Sequence, residues 1–272
     1  MNLLKLIKTI LIFSLLFFLV ERFCRLQTDG FSIAKIVPHG PLNSQEAPIP
    51  LHILEVLDQP YTFLGSGVQC YTFLSEDRQS VIKFFKHYHL FPGNNILKKI
   101  PVPHFLDLFK QQLLTAREER LKKIFRSCQI AYDQLEEETG TFFLHFNKSE
   151  SAKITLIDKL GIQHALDLGE MEFILQKKAE PLEARFKQAK DKQAIEASLD
   201  ALRKLHSACT QKGFKNKDGK IRNYAFIGEK AVMIDIGSLK KRKQLTTALV
   251  EKEQKRFEEK MERWRKTVEN SL

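Results

Sequence analysis

Four cysteines in 272 residues are too few for a disulfide framework. Cys24, Cys70, Cys128 and Cys209 show no C-x-x-C spacing and no paired histidine nearby, which argues against a zinc site and leaves buried thiols as the simplest reading. Glycine (12) and proline (9) are scarce, so a collagen-like or low-complexity chain is excluded. Apolar residues are not scarce: at 43% they can offset the entropy of ordering, and a disordered tail is excluded too. Positive charge is in excess, with 44 Lys and Arg against 33 Asp and Glu and a net charge of +11. That excess calls for an anionic partner, such as phosphate, nucleic acid or acidic lipid, without choosing among them.

Residues 1–23 stand apart. Lys5 and Lys8 precede a charge-free run from Thr9 to Val20. As a helix this run is about 18 Å long, short of a bilayer core. Counted from Leu3, with both lysines reaching outward, the length rises to about 27 Å. Glu21, Arg22, Phe23, Cys24 and Arg25 offer no small-x-small cleavage site. The segment reads as an uncleaved membrane anchor, with a cleaved signal peptide or a buried helix as alternatives. Basic residues on both flanks leave its orientation unset.

Residues 24–55, with Pro38, Pro41, Pro48 and Pro50, read as a linker with little regular structure. Strands are predicted at Tyr61–Leu64, Cys70–Leu74 and Val81–Phe85, a loop over 87–103, and a helix over about 105–138 stopped by Gly140. Further strands are expected at Thr141–Phe146, Lys153–Asp158, Ile162–Leu168 and Glu172–Gln176. Ile195, Leu199, Leu202 and Leu205 mark one face of a helix ending near Thr210. Tyr224–Ile227 and Ala231–Ile234 suggest a hairpin. A last helix over about 244–268 carries Leu249, Phe257, Met261, Trp264 and Val268 as its apolar stripe. The order predicts an α+β fold: a strand-rich part over 56–180 and a helix-rich part over 181–272.

Four features could carry chemistry. Gly65-Ser66-Gly67 lies between two strands, where glycine lets backbone N–H groups approach a phosphate; taken alone, a plain β-turn is the simpler reading. Lys83 alternates with Val81 in an apolar strand, and a lysine pointing inward needs an anion such as a phosphate or a helix carboxylate. An edge-strand lysine facing water is the alternative. Asp218 and Asn223 share a polar segment, and residues 212–222 hold five Lys/Arg against one Asp, which attracts phosphate; taken alone, an Asp-Gly turn with solvated polar residues is the simpler reading. Asp235 ends an apolar strand before Ile236-Gly237, where a carboxylate in a cleft can hold Mg²⁺ through oxygen; a polar turn closing the strand explains it too.

Taken in order, these segments resemble the protein-kinase-like fold over about residues 61–240. Gly65-x-Gly67 stands for the glycine-rich loop and Val81-Ile82-Lys83 for its V-A-I-K strand. Asn216-Lys217-Asp218, with Asn223 five residues on, stands for the H-R-D-L-x-x-x-N loop, and Asp235-Ile236-Gly237 for D-F-G. The resemblance implies a two-lobe fold with a reduced C-terminal lobe behind an N-terminal membrane helix, and an ATP- and Mg-dependent transfer of phosphate. It implies that Gly65, Gly67 and Lys83 bind the ATP phosphates and that Lys83 pairs with a helix glutamate. Glu119 is the choice for that glutamate, with Glu118 and Glu136–Glu138 as rivals. Asp218 would orient or deprotonate the acceptor hydroxyl, and Asn223 and Asp235 would hold Mg²⁺.

The departures are Cys70 for the third glycine, Asn216 for histidine, Ile236 for phenylalanine, and no A-P-E or activation segment after Gly237. The acceptor is therefore left open. Two other readings remain: a catalytically silent pseudokinase that binds nucleotide or scaffolds, and a basic membrane-surface or nucleic-acid-binding protein without this fold. Few aromatics interleave the basic loop, which disfavours nucleic acid. Residues 238–272, with eleven Lys/Arg against six Glu, suit acidic membrane lipid. An active enzyme would need its domain on the cytoplasmic, ATP-supplied side.

Overall fold

The computed structural model describes residues 3–38, 43–87, 101, 103–242 and 244–269. The helices are α1 (Leu3–Thr28), α2 (Leu51–Leu57), α3 (His104–Gln134), α4 (Glu136–Thr139), α5 (Leu182–Gln188), α6 (Lys192–Gln211) and α7 (Thr247–Glu269). The strands are β1 (Asn43–Glu46), β2 (Tyr61–Ser66), β3 (Cys70–Ser75), β4 (Ser80–Phe85), β5 (Thr141–His145), β6 (Asn147–Lys148), β7 (Lys153–Ile157), β8 (Gln163–Asp167), β9 (Phe173–Lys177), β10 (Glu180–Pro181), β11 (Phe214–Asn216), β12 (Tyr224–Ile227), β13 (Lys230–Met233) and β14 (Leu239–Lys241).

The result is a mixed α+β architecture. Its main sheet has seven strands in the order β5-β9-β4-β3-β2-β7-β8. A three-stranded sheet, β10-β12-β13, and the pairs β11-β14 and β1-β6 complete the strands. Two compact units interleave along the chain. One holds Met1–Asp77, Ile82–His89 and Phe146–Phe173; the other holds Arg78–Val81, Leu90–His145 and Ile174–Leu272.

The first unit is built on aromatic side chains that alternate along its strands, as period-2 patterning requires. Phe63 packs edge-on against Phe73 at 5.5 Å, and Phe73 against Phe84 at 6.1 Å. Phe31 joins this cluster, 5.2 Å from both Tyr71 and Phe73. Each such ring, fully buried, contributes about 1.5–3 kcal/mol. Phe31 lies in the stretch expected to lack structure, and the expectation fails there. Residues 33–35 form a short 3₁₀ turn, α2 follows, and Ile36, Ile53 and Leu57 are buried. Their apolar side chains pack once the strands supply a surface, which the Pro-rich local composition conceals.

The same contacts hold the end of α1. The Tyr71 hydroxyl donates to the Gly30 carbonyl at 2.6 Å, and Lys159 pairs with Asp29 at 2.8 Å. The apolar side chains of α1 between Leu6 and Val20 are 39–68% exposed. Among the described residues, no helix is long and apolar enough to cross a membrane.

In the second unit α3 runs for 31 residues. Only its later part is buried, through Leu121, Ile124, Cys128 and Ala131, while Phe105, Leu108 and Phe109 are exposed. The predicted single helix to 138 breaks at Leu135, and α4 then closes on Gly140. Gly140 adopts φ +65°, and its N–H caps the Glu136 carbonyl at 2.7 Å. A left-handed cap of this kind favours glycine. The predicted loop at 87–103 falls almost wholly outside the described residues.

On α6 the expected face is the buried one: Ile195, Leu199, Leu202 and Leu205. Asp191 caps its start by accepting from the Ala194 N–H at 2.8 Å. Phe257 and Met261 of α7 are buried. The Arg203 guanidinium ties the two helices, reaching Glu258 of α7 as well as Glu196 and Asp200 of α6.

Candidate functional site

The second unit gathers Asp218, Asn223 and Asp235 on one backbone framework. After α6, Gly213 turns the chain into β11, which pairs antiparallel with β14 so that Asn216 faces Leu239. The Asn216 Oδ1 accepts from the Asp218 N–H at 3.0 Å and from the Ser238 hydroxyl. Asparagine thus braces the loop at the position where the resembled family has histidine. The buried Asn223 donates its Nδ2–H to the Asp218 carbonyl at 2.7 Å. That bond fixes the amide and leaves Oδ1 as its acceptor.

Asn223 also receives the next strand, because the Ile234 N–H donates to the Asn223 carbonyl at 2.9 Å. Asp235 therefore follows directly on a residue pinned to Asn223. Its Oδ1 accepts from the Gly237 N–H at 3.2 Å. Ser127 of α3 holds the other side of this turn: its hydroxyl donates to the Ile236 carbonyl and accepts from the Leu239 N–H at 2.6 Å. Nothing in the local sequence pointed to Ser127, since the bond spans 109 residues.

The chemistry available is that of hard oxygen donors. Asn223 and Asp235 could hold Mg²⁺, which takes one or two protein carboxylates and completes its shell with water and phosphate oxygens. Among the described residues no group of three His, Cys, Asp or Glu could hold a metal, so such an ion would depend on phosphate oxygens as well. The Asp218 carboxylate meets Lys220 Nζ at 3.2 Å. Lys217, Lys123 and Lys215 crowd Lys240; the Lys217 charge, before any other cause, pulls the Lys240 ammonium below its ordinary range. Like charges held this close favour an incoming anion. Lys240 and Lys241 belong to a strand beside the Asp218 loop, and Arg242 turns inward to pair with Glu253.

The glycine turn lies in the first unit. β2 is irregular between Phe63 and Gly65, and the Gly67 N–H donates to the Cys70 carbonyl at 2.9 Å. Neither glycine has a positive φ. A Cβ on Gly65 would meet nothing within 4 Å, and one on Gly67 would meet the Cys70 carbonyl oxygen at 3.6 Å. The chain's own packing thus does not require glycine at either position, and the turn has room beside it. The buried Lys86, missed in the sequence reading, reaches the Ser66 hydroxyl at 2.7 Å and the Gly67 carbonyl, with Nζ 4.4 Å from the Tyr71 ring centre. Burial, ahead of nearby charges, holds its ammonium below the ordinary lysine range. A period-2 count gives no sign of this, because Lys86 lies one residue beyond β4.

Lys83 is half-buried in β4, an inner strand rather than an edge, among residues that are otherwise buried. In the second unit Glu119 is exposed on α3 and pairs with Lys122 at 3.5 Å. Of its rivals, Glu137 pairs with Lys230 and Glu138 with Lys212, each at 2.8 Å.

No family model matches the sequence, and no curated protein matches it. Among solved structures, the chain is similar to the 2.2 Å crystal structure of WbdD at 16% identity and a TM-score of 0.38, over 70% of this chain and 36% of that one. Another WbdD structure is described as that of a bifunctional kinase-methyltransferase. The chain is also similar to the complex of Rv3197 with erythromycin from Mycobacterium tuberculosis, at 14% identity and a TM-score of 0.34, over 71% of this chain and 53% of that one. The chain thus spans about a third of WbdD and about half of Rv3197.

Proposed function

We propose that this protein is an ATP- and Mg²⁺-dependent phosphotransferase of the protein-kinase-like type, acting on a hydroxyl acceptor. The observation that carries the reading is the shared framework of Asp218, Asn223 and Asp235. The Asn223 amide ties to the Asp218 carbonyl, and the Asn223 carbonyl ties to the residue before Asp235. Bound Mg²⁺ would neutralise phosphate charge as it transfers. Asn223 and Asp235 would hold that ion, Gly65, Gly67 and Lys83 would meet the phosphates, and Asp218 would take the acceptor proton onto its carboxylate. The Lys220 ammonium beside Asp218 would steady the carboxylate until the acceptor arrives.

In this reading α1 anchors the enzyme in a membrane. The exposed apolar side chains from Leu6 to Val20 support that role; Arg22 and Arg25 would then lie at headgroup level and the catalytic part on the ATP-supplied side. Exposed Lys252, Lys255, Arg263 and Lys266 on α7 suit acidic headgroups. One observation favours a silent nucleotide-binding module instead: Lys220 lies 3.2–3.3 Å from both Asp218 oxygens, occupying the proposed base.

Transfer of labelled phosphate from ATP, to the protein itself or to a panel of alcohols, separates the two. The enzyme reading expects turnover that Asp218→Ala lowers about 10²–10⁴-fold. Nucleotide binding without turnover in the native chain would leave only the silent module.

A further inference from the structure

The residues on either side of Asp218, Lys217 and Gly219, form one wall of a cavity of about 210 Å³ completed by α6, β11 and α7. Its charged lining is one-sided: Lys215, Lys217, Arg242, Arg256 and Lys260 face a single carboxylate, Glu253. That carboxylate is committed to Arg242, whose side chain is only 3% exposed. The Arg242 Nε–H donates to the Phe214 carbonyl at 3.3 Å, but Nη1 has no hydrogen-bond partner. The buried Thr210 hydroxyl in the same lining has none either. Buried donors left unpaired are rare and costly, and a guanidinium N–H asks for an anionic oxygen.

The rest of the lining is largely aromatic and apolar: His206 stacks on Phe257 at 4.4 Å, and Leu205, Tyr224 and Met233 also line the cavity. The volume is below the roughly 300–1,000 Å³ of sites for drug-sized ligands, which points to a small anion rather than a nucleotide.

We propose that this cavity is a phosphate-binding site, separate from the nucleotide site proposed above, that takes inorganic phosphate or the phosphate of a small monoester. Lys215, Lys217, Arg256 and Lys260 would surround the phosphate, and a small turn of the Arg242 and Thr210 side chains, whose Nη1 and Oγ1 are closed off in this structure, would let both donate to its oxygens. Since Lys217 and Gly219 flank Asp218, an occupied cavity braces the loop that carries Asp218. The site does not depend on the phosphotransferase reading.

Trp264, the only tryptophan in the chain, packs 5.7 Å from Tyr224 and 6.3 Å from Phe257, both in the cavity lining, and reports on it. The experiment titrates inorganic phosphate and, separately, O-phosphoserine into the full-length protein in detergent at constant ionic strength. Trp264 fluorescence and thermal stability are followed. A saturable response to either probe is expected, with the tighter one identifying free phosphate or monoester as the source. The double variant Arg256→Gln/Lys260→Gln should weaken binding at least tenfold, and Thr210→Val should weaken it independently. Asp235→Asn should leave the phosphate response intact while abolishing Mg-nucleotide binding, so the two proposals fail separately. No saturable response in the native protein, or unchanged affinity in the double variant, overturns the site.

Discussion

Replacing Ser127 with alanine removes one oxygen and two hydrogen bonds. Ser127 is 1% exposed, and its hydroxyl donates to the Ile236 carbonyl and accepts from the Leu239 N–H at 2.6 Å. Ile236 and Leu239 are buried themselves, so water does not readily replace the lost partner. Each unmet group costs about 1–3 kcal/mol, and partial relaxation brings the sum to roughly 2–4 kcal/mol. Alanine has the better helix propensity by a few tenths of a kcal/mol, so the helix itself opposes this effect. Against a total stability of about 5–15 kcal/mol the loss is large. Gln129→Ala, two positions along on the exposed face where Gln129 meets Asp133, is the control and should change stability by less than about 0.5 kcal/mol. Urea denaturation followed by circular dichroism reads both. The Asp235 turn should loosen as well, so Mg-nucleotide affinity should fall in Ser127→Ala and not in the control. A Ser127→Ala protein as stable as the control would refute the clamp.

Three further outcomes follow from the packing. Gly140→Ala forces a side chain into φ +65° and sets its Cβ 2.9 Å from Ile227 Cδ1; it should cost about 1–2 kcal/mol, read as a lower Tm, and an unchanged Tm would remove the argument for the cap. Burial, the leading cause, holds His206 below its ordinary value of 6.5. The unfolded chain therefore binds the proton first, so His206 stability is fully present above pH 6.5 and is lost as pH falls through the lower folded value. His206→Phe keeps the stack on Phe257 and should flatten the acid limb of the stability–pH curve; an unaltered limb would count against a neutral, half-buried imidazole. The Cys209 thiol is pushed up to about 12, first by burial and then by Glu138. Alkylation of the native protein at neutral pH should accordingly label exposed Cys24 and spare Cys209, as peptide mapping can show.

What local chemistry specifies was legible in the sequence. The strands from Tyr61 to Phe85, the buried stripe of α6 and the β12–β13 hairpin lie within a residue or two of their expected positions. Each is set by alternation, periodicity or a turn inside its own segment. The order Asp218, Asn223, Asp235 was legible as well, and their common framework follows from a short hairpin. Long-range partners were not. Ser127 meets Ile236 across 109 residues, and Lys86 bonds into the glycine turn from 19 and 20 residues away. The basic stretch 238–272 reads as suited to a lipid surface. Yet Lys240 and Lys241 of β14 are exposed while Arg242, one residue beyond the strand, turns inward to Glu253, a pairing with α7 that nothing in the local run announces. The helix over 105–138 was legible from its apolar spacing, but not which part of it packs: Phe105, Leu108 and Phe109 are exposed while Leu121, Ile124 and Cys128 are buried.

The most direct test of the central claim is calorimetric titration of ATP into the full-length protein in detergent, with and without Mg²⁺. If Asn223 and Asp235 hold the ion together with nucleotide phosphates, binding should appear with Mg²⁺, weaken strongly when the ion is chelated, and be lost in Asp235→Asn while the fold stays intact. No binding at millimolar Mg-ATP, or equal binding by native and Asp235→Asn proteins, would contradict the account.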